Sequence, residues 1–198
     1  MRGLEQLPWL YDLGLRLAER GTFGAWRRWL PGGAAGRTLD LGTGTGRNLP
    51  HLPPGVVAVA LDPHPQNLAA ARARAPGVAL VRGRAEALPF RDGAFDTVLS
   101  GMVLCSVDAP SAALAEIRRV LVPGGAFRAM EHVRSRSPLG GWWQDLVQPG
   151  WTWCTGGCRP NRETERAVAA AGFEVDEGTR EARGLWRRFV ARPRRGAP

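Results

Sequence analysis

An α/β fold, with a mostly parallel sheet carrying helices on both faces, is what this 198-residue chain predicts. Three observations carry that reading. From residue 37 onward, short apolar runs alternate with helix-forming segments, the order that calls for a parallel sheet. The first apolar run opens directly into Gly42-Thr43-Gly44-Thr45-Gly46, with glycine at alternate positions. A second apolar run, Val56 to Leu61, ends in Asp62-Pro63, about twenty residues further on, where an α/β ligand crevice needs an acid.

In chain order, Leu4, Leu7, Leu10, Leu13 and Leu17 fall at helical spacing, so residues 4–30 are expected to form one or two amphipathic helices broken at Gly21. Trp9, Tyr11, Trp26 and Trp29 stud this stretch. It reads either as a helical layer packed on the sheet or as a lid, with Tyr11 closing a pocket. Pro31 to Gly36 has the composition of a linker. Strands are expected near 37–41, 56–61, 78–82, 94–100, 125–132, 173–178 and 185–192, and helices at 46–51, 65–75, 110–121 and 161–171. In Asp108-Ala109-Pro110 the acid is placed to cap a helix and the proline to open its first turn. Pro123-Gly124-Gly125 is expected to end that helix and launch the fifth strand.

Beyond Arg134 the pattern changes. Trp142, Trp143, Trp151 and Trp153 crowd together beside Pro138 and Pro149. A helical flap of aromatics at this point would lie over the C-terminal edge of the sheet, where such folds bind ligands. It either walls an apolar pocket, or packs onto the domain, or sets its indoles at a membrane interface beside Arg134 and Arg136. The last residues, from Arg192, are expected to fray.

Composition narrows the function. With 27 basic and 18 acidic side chains the net charge is +9, a balance usually associated with nucleic acid or anionic membranes. Yet lysine is missing altogether, isoleucine occurs once, and Ala, Gly, Pro and Arg abound, the bias of a GC-rich coding sequence. The charge is also dispersed, with clusters only at Arg27-Arg28, Arg187-Arg188 and Arg194-Arg195. Three cysteines make no disulfide framework and suit a reducing compartment. Cys154 and Cys158 lack the further ligands a zinc site needs, so no metal is expected. No signal peptide and no apolar run of the ~20 residues that span a bilayer is present, so a soluble, cytoplasmic protein is expected.

The chemistry starts at the glycines. Positions 42, 44 and 46 allow positive φ and close approach of a ligand to the backbone, and a helix following directly would aim free N–H groups at an anion. Asp40 adds a negative group there, and Asp62 is placed to accept from both hydroxyls of a ribose. The spacing is G-x-G-x-G rather than the dinucleotide G-x-G-x-x-G. A zwitterionic, nucleoside-bearing ligand fits this set.

Leu39-Asp40-Leu41-Gly42-Thr43-Gly44-Thr45-Gly46 resembles the first motif of the class I S-adenosylmethionine-dependent methyltransferases. Gly83-Arg84-Ala85-Glu86-Ala87-Leu88-Pro89-Phe90, Phe95-Asp96-Thr97-Val98-Leu99-Ser100 and Val120-Leu121-Val122-Pro123-Gly124-Gly125 follow in the family's order. Val103-Leu104-Cys105-Ser106-Val107, and the run from Met130-Glu131-His132-Val133 to Gly157-Cys158-Arg159, are similar to a narrower branch, the thiol S-methyltransferases and their small bacterial relatives. The likeness covers about residues 37–178.

It implies a Rossmann-like, seven-stranded sheet, S-adenosylmethionine as cofactor and S-adenosylhomocysteine as product. Gly42, Gly44 and Gly46 would meet the amino-acid end, with Asp40, Thr43 and Asn48 alongside. Asp62 and Pro63 would meet the ribose, Ala85 and Glu86 the adenine, and Gly101 and Met102 the sulfonium. Arg84 stands where the class commonly has Asp, which shifts the adenine contact to Glu86. Thr43 replaces a frequent cysteine, and Gly156 stands where the branch has an acid, which bears on thiol specificity. The branch carries an apolar membrane anchor ahead of this domain; none is expected for the present sequence.

The expected reaction is methyl transfer by in-line displacement to a small, largely apolar acceptor, first of all a thiol. Oxygen or nitrogen acceptors of specialised metabolism, or a lipid head group, are the alternatives within the class. Outside it stand a nicotinamide oxidoreductase and an arginine-rich nucleic-acid binder. His132 is the candidate base; its other role would be a hydrogen bond tying flap to sheet. His51 and His64 read as surface residues. The acceptor pocket is expected to draw on Tyr11, Cys105, His132, Trp142, Trp143 and Cys158, with Cys105 as wall. One domain, 1–198, is expected: helices and linker 1–36, a cofactor-binding half 37–133, the Trp-rich flap 134–160, and a C-terminal helix and strands 161–198. Its partner would be a small molecule rather than nucleic acid, with at most peripheral membrane contact, and the chain a monomer or weak homodimer.

Overall fold

The structure is a computed structural model that describes residues 22–155 and 157–194. Tyr11 and the predicted helical stretch before Thr22 lie outside them. The elements run α1 (Thr22–Gly32), β1 (Arg37–Leu41), a 3₁₀ turn (Leu49–His51), β2 (Val57–Asp62), α2 (Pro65–Arg74), β3 (Ala79–Arg82), β4 (Phe95–Gly101), α3 (Pro110–Val120), β5 (Leu121–His132), α4 (Pro138–Thr155), α5 (Thr164–Ala170), β6 (Phe173–Arg183) and β7 (Trp186–Pro193).

The strands form one seven-stranded sheet in the order β3-β2-β1-β4-β5-β7-β6. β1 to β5 pair in parallel, and β7 runs antiparallel to both its neighbours. Inner strands of such a sheet are covered on both faces and read as continuous apolar runs rather than alternating ones. Leu39, Leu41, Leu61, Val98, Leu99 and Phe127 are accordingly buried. Phe127 meets Phe173 and Phe189 at ring-centroid distances of 5.5 and 6.3 Å. The strand order reverses between β1 and β4, so the loops leaving those two strands diverge and leave a crevice at the carboxyl edge.

α1 is tied to the sheet at its last turn. Arg128 of β5 donates from Nε to Leu30 O at 2.8 Å and from Nη2 to Trp29 O at 2.6 Å, and lies 4.3 Å from the Trp29 ring centroid. A cation there satisfies carbonyls that the helix itself cannot. Trp26 and Leu30 close over Met130 on the same face.

Four expectations need correction. No α-helix follows the glycine turn at 46–51. Gly46 takes φ +79°, outside the helical range, and with Pro50 and then Pro53-Pro54 close behind, only the Leu49–His51 turn forms. Asp108 does not cap α3, whose first residue is preceded by Ala109 with no side-chain cap; its carboxylate is held by Arg84 at 2.6 Å. β5 starts at Leu121 rather than 125, with a register shift between Phe95 and Thr97 absorbing Pro123 and Gly124. β6 continues to Arg183, again through a register shift, between Asp176 and Glu181.

α4 forms the flap. Gly141 and Gln144 face inward, and Gln144 makes three hydrogen bonds: it accepts from Ser135 N–H at 2.7 Å and, in two buried contacts, donates to Pro160 O at 2.9 Å and Val133 O at 3.2 Å. Arg134 adds a two-pronged pair to Asp145, both contacts at 2.6 Å. Leu139, Trp142, Trp143, Leu146 and Trp153 recur at helical spacing on the opposite side and are exposed. Gln144→Ala should therefore loosen α4 selectively. We expect a stability loss of about 1–3 kcal/mol and faster proteolysis within 134–160, with the sheet's amide-exchange protection unchanged.

Candidate cofactor cleft and active site

The glycine turn is held from inside. Asp40 is fully buried and accepts from Thr43 Oγ1 at 2.5 Å and Asn48 Nδ2 at 2.8 Å; Asn48 Oδ1 in turn accepts from Arg27 at 3.1 Å. Burial raises the Asp40 pKa, against the pull of those two donors and the Arg27 charge. Asp40, Thr43, Gly46 and Asn48, expected at the ligand, instead build the scaffold behind it and do not line the cleft. The reason is donor supply: the turn's own hydroxyl and amide reach the carboxylate first.

In front of that scaffold lies a cleft of about 340 Å³, lined by Gly42, Gly44, Asp62, Pro63, His64, Asn67, Arg84, Ala85, Glu86, Gly101, Met102, Val103, Ser106, Val107, Asp108 and Gly157. The sites named from sequence for ribose, adenine and sulfonium converge here, together with two of the three glycines. Those glycines differ in what they face. At Gly42 (φ +58°) a Cβ would strike Val103 at 2.6 Å, and at Gly46 it would strike the Ala71 backbone at 2.9 Å. At Gly44 (φ +55°) it would meet no protein atom within 4 Å, because the position opens onto the cleft. A cradle of this kind admits a ligand's polar end against bare backbone.

Asp62 sits at the centre of the cleft, almost wholly buried. It accepts from Gly44 N–H and His64 N–H, each at 2.9 Å, and from Asn67 Nδ2 at 3.1 Å. A carboxylate offers about four acceptor sites, so capacity remains for a ribose hydroxyl. Glu86 accepts Asp108 N–H at 2.8 Å and pairs with Arg84 at 3.4 Å. Partial burial alone would raise its pKa, but backbone N–H donors and Arg84 outweigh it and hold the group low, hence ionised. The site thus suits S-adenosylmethionine: an unobstructed glycine backbone at Gly44 for the amino-acid end, an acid for a ribose, and an acid-lined exit from β3 for a purine.

The wall facing Gly44 is the 102–107 loop. Met102 takes φ +62°, the one non-glycine residue with positive φ among the described residues, and its N–H is held by Met130 O at 2.8 Å. Arg162 grips the loop from outside through Leu104 O and Val107 O, and Arg159 N–H bonds Cys105 O at 2.8 Å. Beneath it Glu131 accepts from Ser100 Oγ at 2.6 Å and from Val103 and Leu104 N–H at 3.1 and 3.3 Å.

Of the predicted acceptor residues, Cys105 lies buried behind this loop with Cys158 against it. The proximity of the two free thiols lowers the Cys158 pKa, and together with burial it raises that of Cys105. His132 is not at the cleft. Strand alternation turns it away from Glu131, onto Trp186 with ring centroids 5.1 Å apart, and burial lowers its pKa. Trp142 and Trp143 do not wall the pocket: they are 58% and 57% exposed, because Gly141 and Gln144 take the inward face of α4. His64, Asn67, Val103, Ser106 and Asp108 line the cleft without having been named for it. The signal for Asn67 was its place in the first turn after Asp62-Pro63, within side-chain reach of the acid. Among the described residues no cluster of His, Cys, Asp and Glu could hold a metal, and no helix is long and apolar enough to cross a membrane.

A sheet of order β3-β2-β1-β4-β5-β7-β6, parallel but for β7, with a glycine turn after β1 and an acid ending β2, has the class I methyltransferase fold. Residues 39–129 match the family model described as a methyltransferase domain. The human thiol S-methyltransferase TMT1B is 37% identical over 153 residues, covering 71% of this chain and 62% of the relative. A demethylmenaquinone methyltransferase from Renibacterium salmoninarum is 38% identical over 126 residues, 61% of this chain and 53% of the relative. In fold, a S-adenosylmethionine-dependent methyltransferase from Thermotoga maritima, described as a possible histamine N-methyltransferase, superimposes with TM-score 0.70 at 22% identity over 94% of this chain and 97% of that one. The chain belongs to the S-adenosylmethionine-dependent methyltransferases, and it spans about three fifths of the length of the thiol S-methyltransferases it matches.

The glycine geometry yields a test. Gly44→Val should cost about 1–3 kcal/mol of stability from backbone strain and weaken S-adenosylmethionine binding well over tenfold (more than about 1.4 kcal/mol), read by calorimetry. Gly46→Val, which adds a clash with the Ala71 backbone, should be the more destabilising of the two in thermal unfolding.

Proposed function

We propose that the chain transfers the methyl group of S-adenosylmethionine to a small, largely apolar thiol. The observation that carries this reading is the cleft itself, where Gly44, Asp62, Glu86 and Met102 meet in one hollow, joined with the likeness to the thiol S-methyltransferases over most of the chain. In bound form the cofactor supplies an activated methyl on a positively charged sulfur. Gly42 and Gly44 hold its amino-acid end, Asp62 the ribose, and Ala85 and Glu86 the adenine. Gly101, Met102 and Val103 fix the depth at which the methyl carbon is presented. Positioning of this kind supplies about 7–11 kcal/mol towards a displacement.

What the cleft offers as a base supports a thiol over an alcohol. His64 is the imidazole among the described lining residues, and it stands at the head of α2, beside the ribose acid. Glu86 and Asp108 are engaged with Arg84. A thiol of pKa ~8.5 ionises near neutrality at a cost of about 2 kcal/mol and needs no strong base, whereas an alcohol does.

Small alkyl and aryl thiols, simple phenols and a demethylated quinol should be compared as acceptors by mass spectrometry of the products. We expect thiols to be methylated fastest, with turnover rising about tenfold per pH unit until the acceptor's own pKa is reached. His132→Ala should shift this profile at no pH. A loss confined to low pH would make His132 a base after all, and methylation of the quinol alone would replace the thiol reading.

A further inference from the structure

Glu131 is a carboxylate with 0% exposure, and its bonds are unevenly divided. Ser100 Oγ–H, Val103 N–H and Leu104 N–H all go to Oε1, while Oε2 is buried with no hydrogen-bond partner. Fully buried acids ordinarily face a cation. Glu131 makes no ion pair among the described residues, and burial holds its pKa up, at about 7, in spite of its hydrogen bonds.

The groups around it do not supply the missing charge. Arg162, above the loop, has its guanidinium committed to Leu104 O and Val107 O. Behind the loop lie the thiols of Cys105 and Cys158. From β4 comes only the Ser100 hydroxyl, His132 of β5 turns to Trp186, and from β1 the nearest acid is Asp40, itself buried. What Glu131 does adjoin is the cleft: Val103, whose N–H it holds, lines the hollow with Gly101 and Met102.

We propose that Glu131 is the counter-charge for a cationic ligand in the cleft, namely the sulfonium of S-adenosylmethionine. This rests on the cofactor reading above and adds to it a way of telling cofactor from product. S-adenosylhomocysteine differs by one methyl and is a neutral thioether at that sulfur, so an ionised Glu131 favours the cofactor and lets the product go. By reciprocity, binding the cation draws the proton off Glu131, and binding the thioether does not.

Titration calorimetry with both ligands at about pH 6 and about pH 8 tests this. For a group ionising near neutrality, the competent fraction rises roughly tenfold across that interval. The affinity for S-adenosylmethionine relative to S-adenosylhomocysteine should therefore rise by about the same factor. The two ligands share their amino and carboxylate groups, so the ratio isolates the sulfur. In Glu131→Gln the ratio should be flat while S-adenosylhomocysteine still binds, which ties the pH dependence to Glu131. A second measurement needs no variant: near pH 6.5, titrations of the native protein in two buffers of different ionisation enthalpy should show a proton released with S-adenosylmethionine only. A pH-independent ratio with no proton release would reduce Glu131 to an anchor for the loop and leave the cofactor assignment intact. Failure of both ligands to bind at either pH would instead overturn the cofactor assignment, and this proposal with it.

Discussion

The organisation of this molecule follows from one desolvated carboxylate. Asp40 has no exposed surface, so its acceptors must be filled from within. The groups that fill them, Thr43 and Asn48, belong to the turn it precedes. That requirement folds the chain back on itself immediately after β1, which is possible only with left-handed residues at 42, 44 and 46. Arg27 then completes the set through Asn48, connecting α1 to the same point. The ligand-facing amide of the turn and the acid ending β2 are set by what lies behind them: Gly44 N–H bonds Asp62 and Thr43 N–H bonds Leu61 O.

The sheet was legible in the chain because burial on two faces leaves no freedom in composition. Leu39, Leu41, Ala60, Leu61, Val98 and Leu99 are apolar for the same reason that they sit in strands. The place of Asp62 at the cleft was legible for a related reason, since a charged residue closing an apolar run has to leave the sheet at its edge. What could not be read was competition for hydrogen bonds. Asp40 and Asp62 look alike in sequence, yet one is sealed behind its own loop and the other opens onto the cleft, a difference set by how the turn folds in three dimensions. The short helix expected after the glycines fails on local grounds, Gly46 and the prolines, which pattern alone weighs too lightly.

The acceptor side shows the opposite balance. The indoles of α4 carry a strong signal for burial, and the structure puts the two foremost of them outside. Helical periodicity marks which residues share a face but not which face is inward; a glycine and a glutamine decide that here, through close approach and three hydrogen bonds, two of them buried. His132 was drawn to the site by its place at the end of β5, and a single step of strand alternation turns Glu131, not His132, under the 102–107 loop. The loop at 102–107 is the element on which both sides depend. It is strained at Met102, gripped by Arg162 and seated on Glu131, and strain of that kind persists only where its surroundings over-determine it.

The way α4 is fastened has a consequence for how such a chain can diversify. Its attachment runs through Gln144 and the Arg134–Asp145 pair, whereas the nucleoside half is knit through Asp40 and Asp62, with no residue common to the two sets. Changes at well-separated, unshared positions combine nearly additively. Descendants of this sequence can thus rewrite α4 without disturbing the hydrogen bonds that Asp40 and Asp62 make around the glycine turn.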